Sequence, residues 1–133
     1  MKKLIFIIFI LIVSCSKPNA CPELDLDALT YTTYLPNKTT YTGRCLYTYE
    51  DKSTSIRQYL NGKDYGKWIF YFPNGEIETI GRFNKNGDRV GKWKYYYESG
   101  KLKQLSRYSK NGDRVGKWII YNPDGEKIES TNY

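Results

Sequence analysis

Few residues in this 133-residue chain are equipped for acid–base or covalent chemistry. It has no histidine, which removes the commonest general base, the serine and cysteine triads built on one, and most zinc sites. Glu76, Asp88, Glu98, Asp113, Asp124 and Glu126 are the candidates for a glycosidase-like carboxylate pair. Most of them recur at turn or turn-flanking positions, where a carboxylate accepts hydrogen bonds from turn groups. Glu23, Asp25 and Asp27 alternate as calcium ligands do, but lack the glycine and distal glutamate of a loop site, and read as polar surface. No glycine-rich cradle follows a strand and opens a helix. The sequence predicts no catalytic residue, no metal site and no cofactor, and the expectation is a protein that is not an enzyme.

What remains is aromatic and basic. The chain holds 14 Tyr, 5 Phe and 3 Trp and a formal net charge of +7. Residues 66–133 carry 13 basic and 8 acidic residues, so the excess outside the amino-terminal lysines lies there. Rings with Lys and Arg between them can stack bases or sugars. The same composition also describes a solvated sheet face that keeps a Tyr-rich protein soluble.

These side chains sit on a repeat. Lys85-Asn86-Gly87-Asp88-Arg89-Val90-Gly91-Lys92-Trp93 recurs residue for residue from Lys110 to Trp118, and a looser copy runs from Asn61 to Trp68. The Gly-Lys-Trp triplets start at 66, 91 and 116. A fixed period of about 25 residues marks stacked supersecondary units. Lys67 to Phe72 reads as a strand, Pro73-Asn74-Gly75 as a turn, and Ile77 to Phe83 as a second strand before the next Asn-Gly turn. The expected fold is all-β: an antiparallel meander of consecutive β-hairpins in one elongated sheet. The unit from Gly43 to Tyr65 is a degenerate terminal copy, with Glu50-Asp51-Lys52 where later copies have a glycine turn.

Alternation along each first strand assigns its two faces. Trp68, Phe70, Trp93, Tyr95, Trp118 and Ile120 form the expected repeat core, the tryptophans stacking on one another as a ladder. The opposite face mixes lysine stems with rings, and Tyr71, Lys94, Tyr96 and Tyr121 are its candidates for partner contact. Ile77 and Ile80 fall on opposite sides by simple alternation, which predicts a bulge or a two-sided strand.

The amino terminus reads differently. Lys2 and Lys3 precede an unbroken apolar run from Leu4 to Val13, too short to span a bilayer. Ile12-Val13-Ser14-Cys15 resembles a bacterial lipobox; an ordinary secretory signal is the alternative. The expected organisation is a signal peptide over 1–14, a lipidated Cys15 with a tether over 15–30, and the repeat domain over 31–133. Pro22 to Leu29 is expected to form one or two helical turns. Export to an oxidising compartment permits a bridge between Cys21 and Cys45, which are otherwise two separate thiols.

Units reading Gly-Lys-Trp-x-x-Tyr-x-x-x-Gly, then an aromatic strand and Asn-Gly, resemble the MORN repeat in its bacterial variant over roughly residues 41–133. The lead-in Tyr41-Thr42-Gly43-Arg44 is similar to the start of the array in YwqK-type antitoxins, which implies a cognate toxin. Three functions follow as expectations: an envelope lipoprotein that docks a protein partner or its own copies; an antitoxin or immunity protein; or a module for glycans or anionic lipid headgroups. Membrane association is by the lipid anchor only, and export argues against nucleic acid.

Overall fold

The computed structural model describes residues 18–133. The signal peptide expected over 1–14 and the lipidation site Cys15 lie outside the described residues. The fold is all-β, an antiparallel meander of hairpins in an open sheet. Strands β3 (Gly43–Thr48), β4 (Thr54–Leu60), β6 (Gly66–Tyr71), β7 (Ile77–Phe83), β8 (Arg89–Tyr96), β9 (Leu102–Tyr108), β10 (Lys117–Tyr121) and β11 (Lys127–Asn132) lie side by side in chain order, with the short β5 (Lys63–Asp64) pairing to β4. A separate two-stranded sheet joins β1 (Asp25–Asp27) to β2 (Thr32–Tyr34).

The Gly-Lys-Trp triplet has a geometric reason. Gly66, Gly91 and Gly116 hold φ of 65°, 68° and 61°, a left-handed conformation that side chains resist. Beyond the glycine, ordinary strand alternation puts lysine on one face and tryptophan on the other. Register shifts recur at Phe70/Tyr71, Tyr95/Tyr96 and Ile120/Tyr121. The bulge expected from Ile77 and Ile80 is therefore present in every full unit. It takes Glu78 out of the alternation, so Ile77 (opposite Tyr71) and Ile80 (opposite Ile69) share one face.

The degenerate turn at Lys52 keeps the repeat's shape. Lys52 adopts φ of 70° and its N–H donates to Tyr49 O at 3.0 Å, as Gly75 N–H donates to Phe72 O at 2.9 Å. Asp51 Oδ1 accepts from Ser53 N–H, the role Asn74 Oδ1 plays toward Glu76 N–H. The acids flanking later turns are likewise held by local bonds: Asp88 accepts from Asn84, Asp113 from Ser109, and Glu126 from Asn122.

The segment before the repeats departs from expectation. Residues Pro22 to Leu29 form no helical turn; Asp25–Asp27 is a strand paired with Thr32–Tyr34. The Leu24-Asp25-Leu26-Asp27 alternation has a period of two, which suits a strand, and Asp27 Oδ1 closes the following turn by accepting from Leu29 N–H at 2.9 Å. From Asn19 onward the expected tether is fastened to β3: Leu46 N–H donates to Asn19 O, Cys21 N–H donates to Leu46 O, and a disulfide joins Cys21 to Cys45 with Cα atoms 4.6 Å apart.

Candidate functional site

On the tryptophan face, each indole N–H donates to a backbone carbonyl of the preceding strand: Trp68 to Gln58, Trp93 to Arg82 and Trp118 to Arg107. The tryptophans do not stack on one another. They lie two strands apart, about 10 Å, which is too far for ring contact. Phe83 fills the gap between Trp68 and Trp93, with centroids 5.0 Å from each, and Tyr108 fills the next at 6.4 and 5.3 Å. Tyr41 and Tyr59 continue this spine at one end and Tyr133 at the other. Arg89 lies 4.4 Å over the Trp93 ring and Arg114 5.0 Å over Trp118. Phe83, Tyr108 and Tyr133 were readable from their common register; the arginines were not.

The expected core is only partly buried. Trp93 and Trp68 are 2 and 6 % exposed, while Phe70, Tyr95, Trp118 and Ile120 are half-buried. Across most of the sheet no second layer covers this face among the described residues, so a ring is hidden only where neighbouring rings flank it on both sides. Ile69, which alternation placed on the lysine face, is buried at 7 % because Ile56 and Ile80 stand beside it on the adjacent strands.

That lysine face is ordered in rows across the strands. Arg44, Lys67, Arg82, Lys92, Arg107 and Lys117 lie along one row of the sheet, interrupted by Gln58 opposite Arg44 and by a register shift between β7 and β8. Beside it run Leu46, Ile56, Ile69, Ile80, Leu105 and Ile119, interrupted by Lys94. A third row holds Tyr71, Tyr96 and Tyr121 opposite Ile77, Leu102 and Lys127. No Asp or Glu projects from the strands onto this face among the described residues. Lys94 and Tyr96 meet in a groove of about 260 Å³ with Lys67, Arg82, Ile77 and Ile80. Tyr71 and Tyr121 share the tyrosine row but not this groove, and Tyr121 is further tied by its carbonyl, which accepts from Tyr97 Oη–H at 2.8 Å.

A cleft of about 400 Å³ opens on the tryptophan face at the amino-terminal end, roofed by the β1–β2 hairpin. Arg57, Asp64, Tyr59 and Trp68 line its floor, with Leu24 and Leu26 on the hairpin side. Sequence reading missed it, because residues from four segments build it and Arg57 and Asp64 carry no motif. Burial pushes the Asp64 pKa up, against the pull of Arg57 and Lys63. Burial also raises the Tyr59 phenol, opposed by its hydrogen bond from Arg57. With the folded pKa of Asp64 raised, its contribution favours the folded state below the ordinary value of 3.8 and is lost as pH rises through the folded value. Asp64→Asn is therefore expected to melt higher than wild type at pH 7, and the gap should close as pH falls toward and below 3.8. Thermal melts across that range test it; a constant gap would assign the effect to something other than the carboxylate's charge.

Among curated proteins, none matches the chain. Residues 64–85 and 89–111 match the family described as MORN repeat variant, and each span covers one hairpin and the start of the turn that follows. The chain thus carries two MORN-variant repeats, its central hairpins β6–β7 and β8–β9.

Proposed function

We propose that this chain is a non-catalytic interaction scaffold of the cell envelope, held there by a lipidated Cys15 and docking a protein partner on its lysine face. The observation that carries this is the pair of apolar rows beside a cation row on a face that nothing covers among the described residues. A sheet that buries one face against its own rings has no internal use for aliphatic rows on the other. MORN repeats commonly serve as protein- and membrane-interaction modules, which supports the reading. The Cys21–Cys45 bridge supports a location outside the reducing cytoplasm.

Replacing Tyr96 and Tyr121 together by Ser is expected to leave the fold intact and to reduce recovery of the partner from crosslinked envelopes. Circular dichroism checks the first point and quantitative capture with both baits the second. Equal recovery by wild type and double variant would remove the tyrosine row as the docking site. A captured protein that is toxic when expressed alone would mark the scaffold as an antitoxin.

The unbroken positive sign of the face favours a second reading, binding of an anionic glycan or lipid headgroup. Contacts of that kind weaken steeply as salt screens them, whereas apolar docking does not. Release of all bound material by moderate salt would favour this second reading.

A further inference from the structure

The first repeat departs from the others at three positions that meet in space. Cys45 stands where later units have tryptophan, opposite Arg57, as Trp68 stands opposite Gly81 and Trp93 opposite Ser106. Arg57 thus replaces a glycine or serine. Asp64 occupies the position of Arg89 and Arg114, the arginines that cover the later indoles. The spine needs none of these changes to continue, since Tyr59 and Trp68 carry it through with centroids 5.5 Å apart. Arg57 and Asp64 both line the cleft beneath the β1–β2 hairpin, and Cys45 packs in the buried cluster with two of its other walls, Tyr59 and Trp68.

The charges in this cleft are not matched internally. Among the described residues the one ion pair is Lys38–Asp25, so Arg57 and Asp64 are not bonded to each other. Arg57 gives one N–H each to Ser55 Oγ, Tyr59 Oη and Tyr49 Oη, and its guanidinium sits 5.2 Å over the Trp68 ring. A guanidinium has five N–H donors, so two remain for an external acceptor. The Asp64 carboxylate accepts no hydrogen bond among the described residues, although its burial is enough to perturb its ionisation. Opposite charges held apart in a partly desolvated cleft attract a ligand that carries both. The rim is apolar and uncovered: Leu26 is 64 % exposed and Tyr31 74 %.

We propose that this cleft binds a small zwitterion with an apolar body, of the chemical class of a free apolar α-amino acid. The ligand's carboxylate meets the two remaining N–H groups of Arg57 and its ammonium meets Asp64. The apolar body lies against Leu24, Leu26 and the Trp68 ring. The Tyr59 hydroxyl, accepting from Arg57, keeps its own proton to donate to the same carboxylate. This site lies on the face opposite the proposed docking rows, so its failure and theirs are separate results.

Calorimetric titration of the disulfide-bonded protein tests the proposal, with L-leucine and L-phenylalanine as probes and N-acetyl-leucine and leucinamide as controls that each lack one charge. Leu-Leu, which sets the two charges farther apart, distinguishes a free amino acid from a peptide. The expected result is binding of the free amino acids and a loss of about tenfold or more for each capped analogue, because a buried charge left without its partner is costly. Asp64→Asn should bind leucine and N-acetyl-leucine alike, having lost its preference for the ammonium. Arg57→Gln should abolish binding, and amide exchange shows whether that variant keeps the sheet. If it does not, the capped analogues on the wild-type protein decide alone. No heat and no shift of cleft resonances with millimolar amino acids would overturn the proposal. Equal binding of all four single-residue ligands would overturn it as well, since neither charge would then be read. Preference for Leu-Leu over leucine would overturn the free amino acid as the ligand.

Discussion

Replacing Trp93 by alanine is expected to lower the stability of the protein by about 3–5 kcal/mol, read as a shift of the urea midpoint. Trp93 is the most enclosed ring of the spine, at 2 % exposure, and it has no substitute on either side. Its indole lies flat over Gly81, so close that a Cβ on that glycine would fall 2.2 Å from the ring. Phe83 and Tyr108 abut its faces and edges, and Arg89 covers it from solvent. Each aromatic pair is worth about 0.5–1.5 kcal/mol beyond the area it hides, and the substitution removes at least two. The cavity cannot be closed by collapse, because the surrounding atoms are a hydrogen-bonded sheet with fixed strand spacing. Trp118→Ala should cost less, since Trp118 is half-buried and adjoins the last strand pair. Equal costs at both positions would mean that burial along the spine does not set its energetics. A near-neutral Trp93→Ala would mean that the spine is not the core.

Much of the fold was legible because its signals are local and repeated. Gly-Lys-Trp names a left-handed hinge, a cation and a ring in three successive residues, and its recurrence fixed period and register together. The bulge was visible as a conflict between Ile77 and Ile80, since a strict period of two cannot put both on one side. The ring order of the spine was harder to read, because the residue filling the gap between two tryptophans comes from the intervening strand. The error at Asp25–Asp27 has a similar origin: a proline and a short apolar alternation are compatible with a helical turn until a pairing strand is known. The cleft was hidden for another reason. Its two charged residues appear in sequence as decay of a terminal repeat. Only the fold shows that the decayed positions line one cleft, and that the β1–β2 hairpin roofs it.

Cys21→Ala with Cys45→Ala is expected to cost roughly 3 kcal/mol of stability, the value for cross-linking a loop of this size. The sequence separation is 24 residues, long enough for the bridge to restrict the unfolded chain substantially. The folded state also loses something. Cys45 is 1 % exposed at a position the other repeats give to tryptophan, and the bridge rather than a ring fills the space beside Tyr59 and Trp68. Alanine leaves that space empty, and no buried hydroxyl is introduced to confuse the reading. The loss should be uneven along the chain. The bridge holds Cys21 and Leu24 onto the sheet, whereas β2 is separately tied by Thr33 N–H donating to Gly62 O and by Lys63 donating to Thr30 O. Hydrogen exchange should therefore quicken most at Cys21 and through β1, and least in the central hairpins from Gly66 to Tyr108. The roof of the cleft moves with β1, so amino-acid binding should fall in the double variant while partner capture on the lysine face persists. A uniform rise in exchange would mean that the bridge acts only through the unfolded chain. Unchanged stability would mean that the β2 contacts alone hold the hairpin in place.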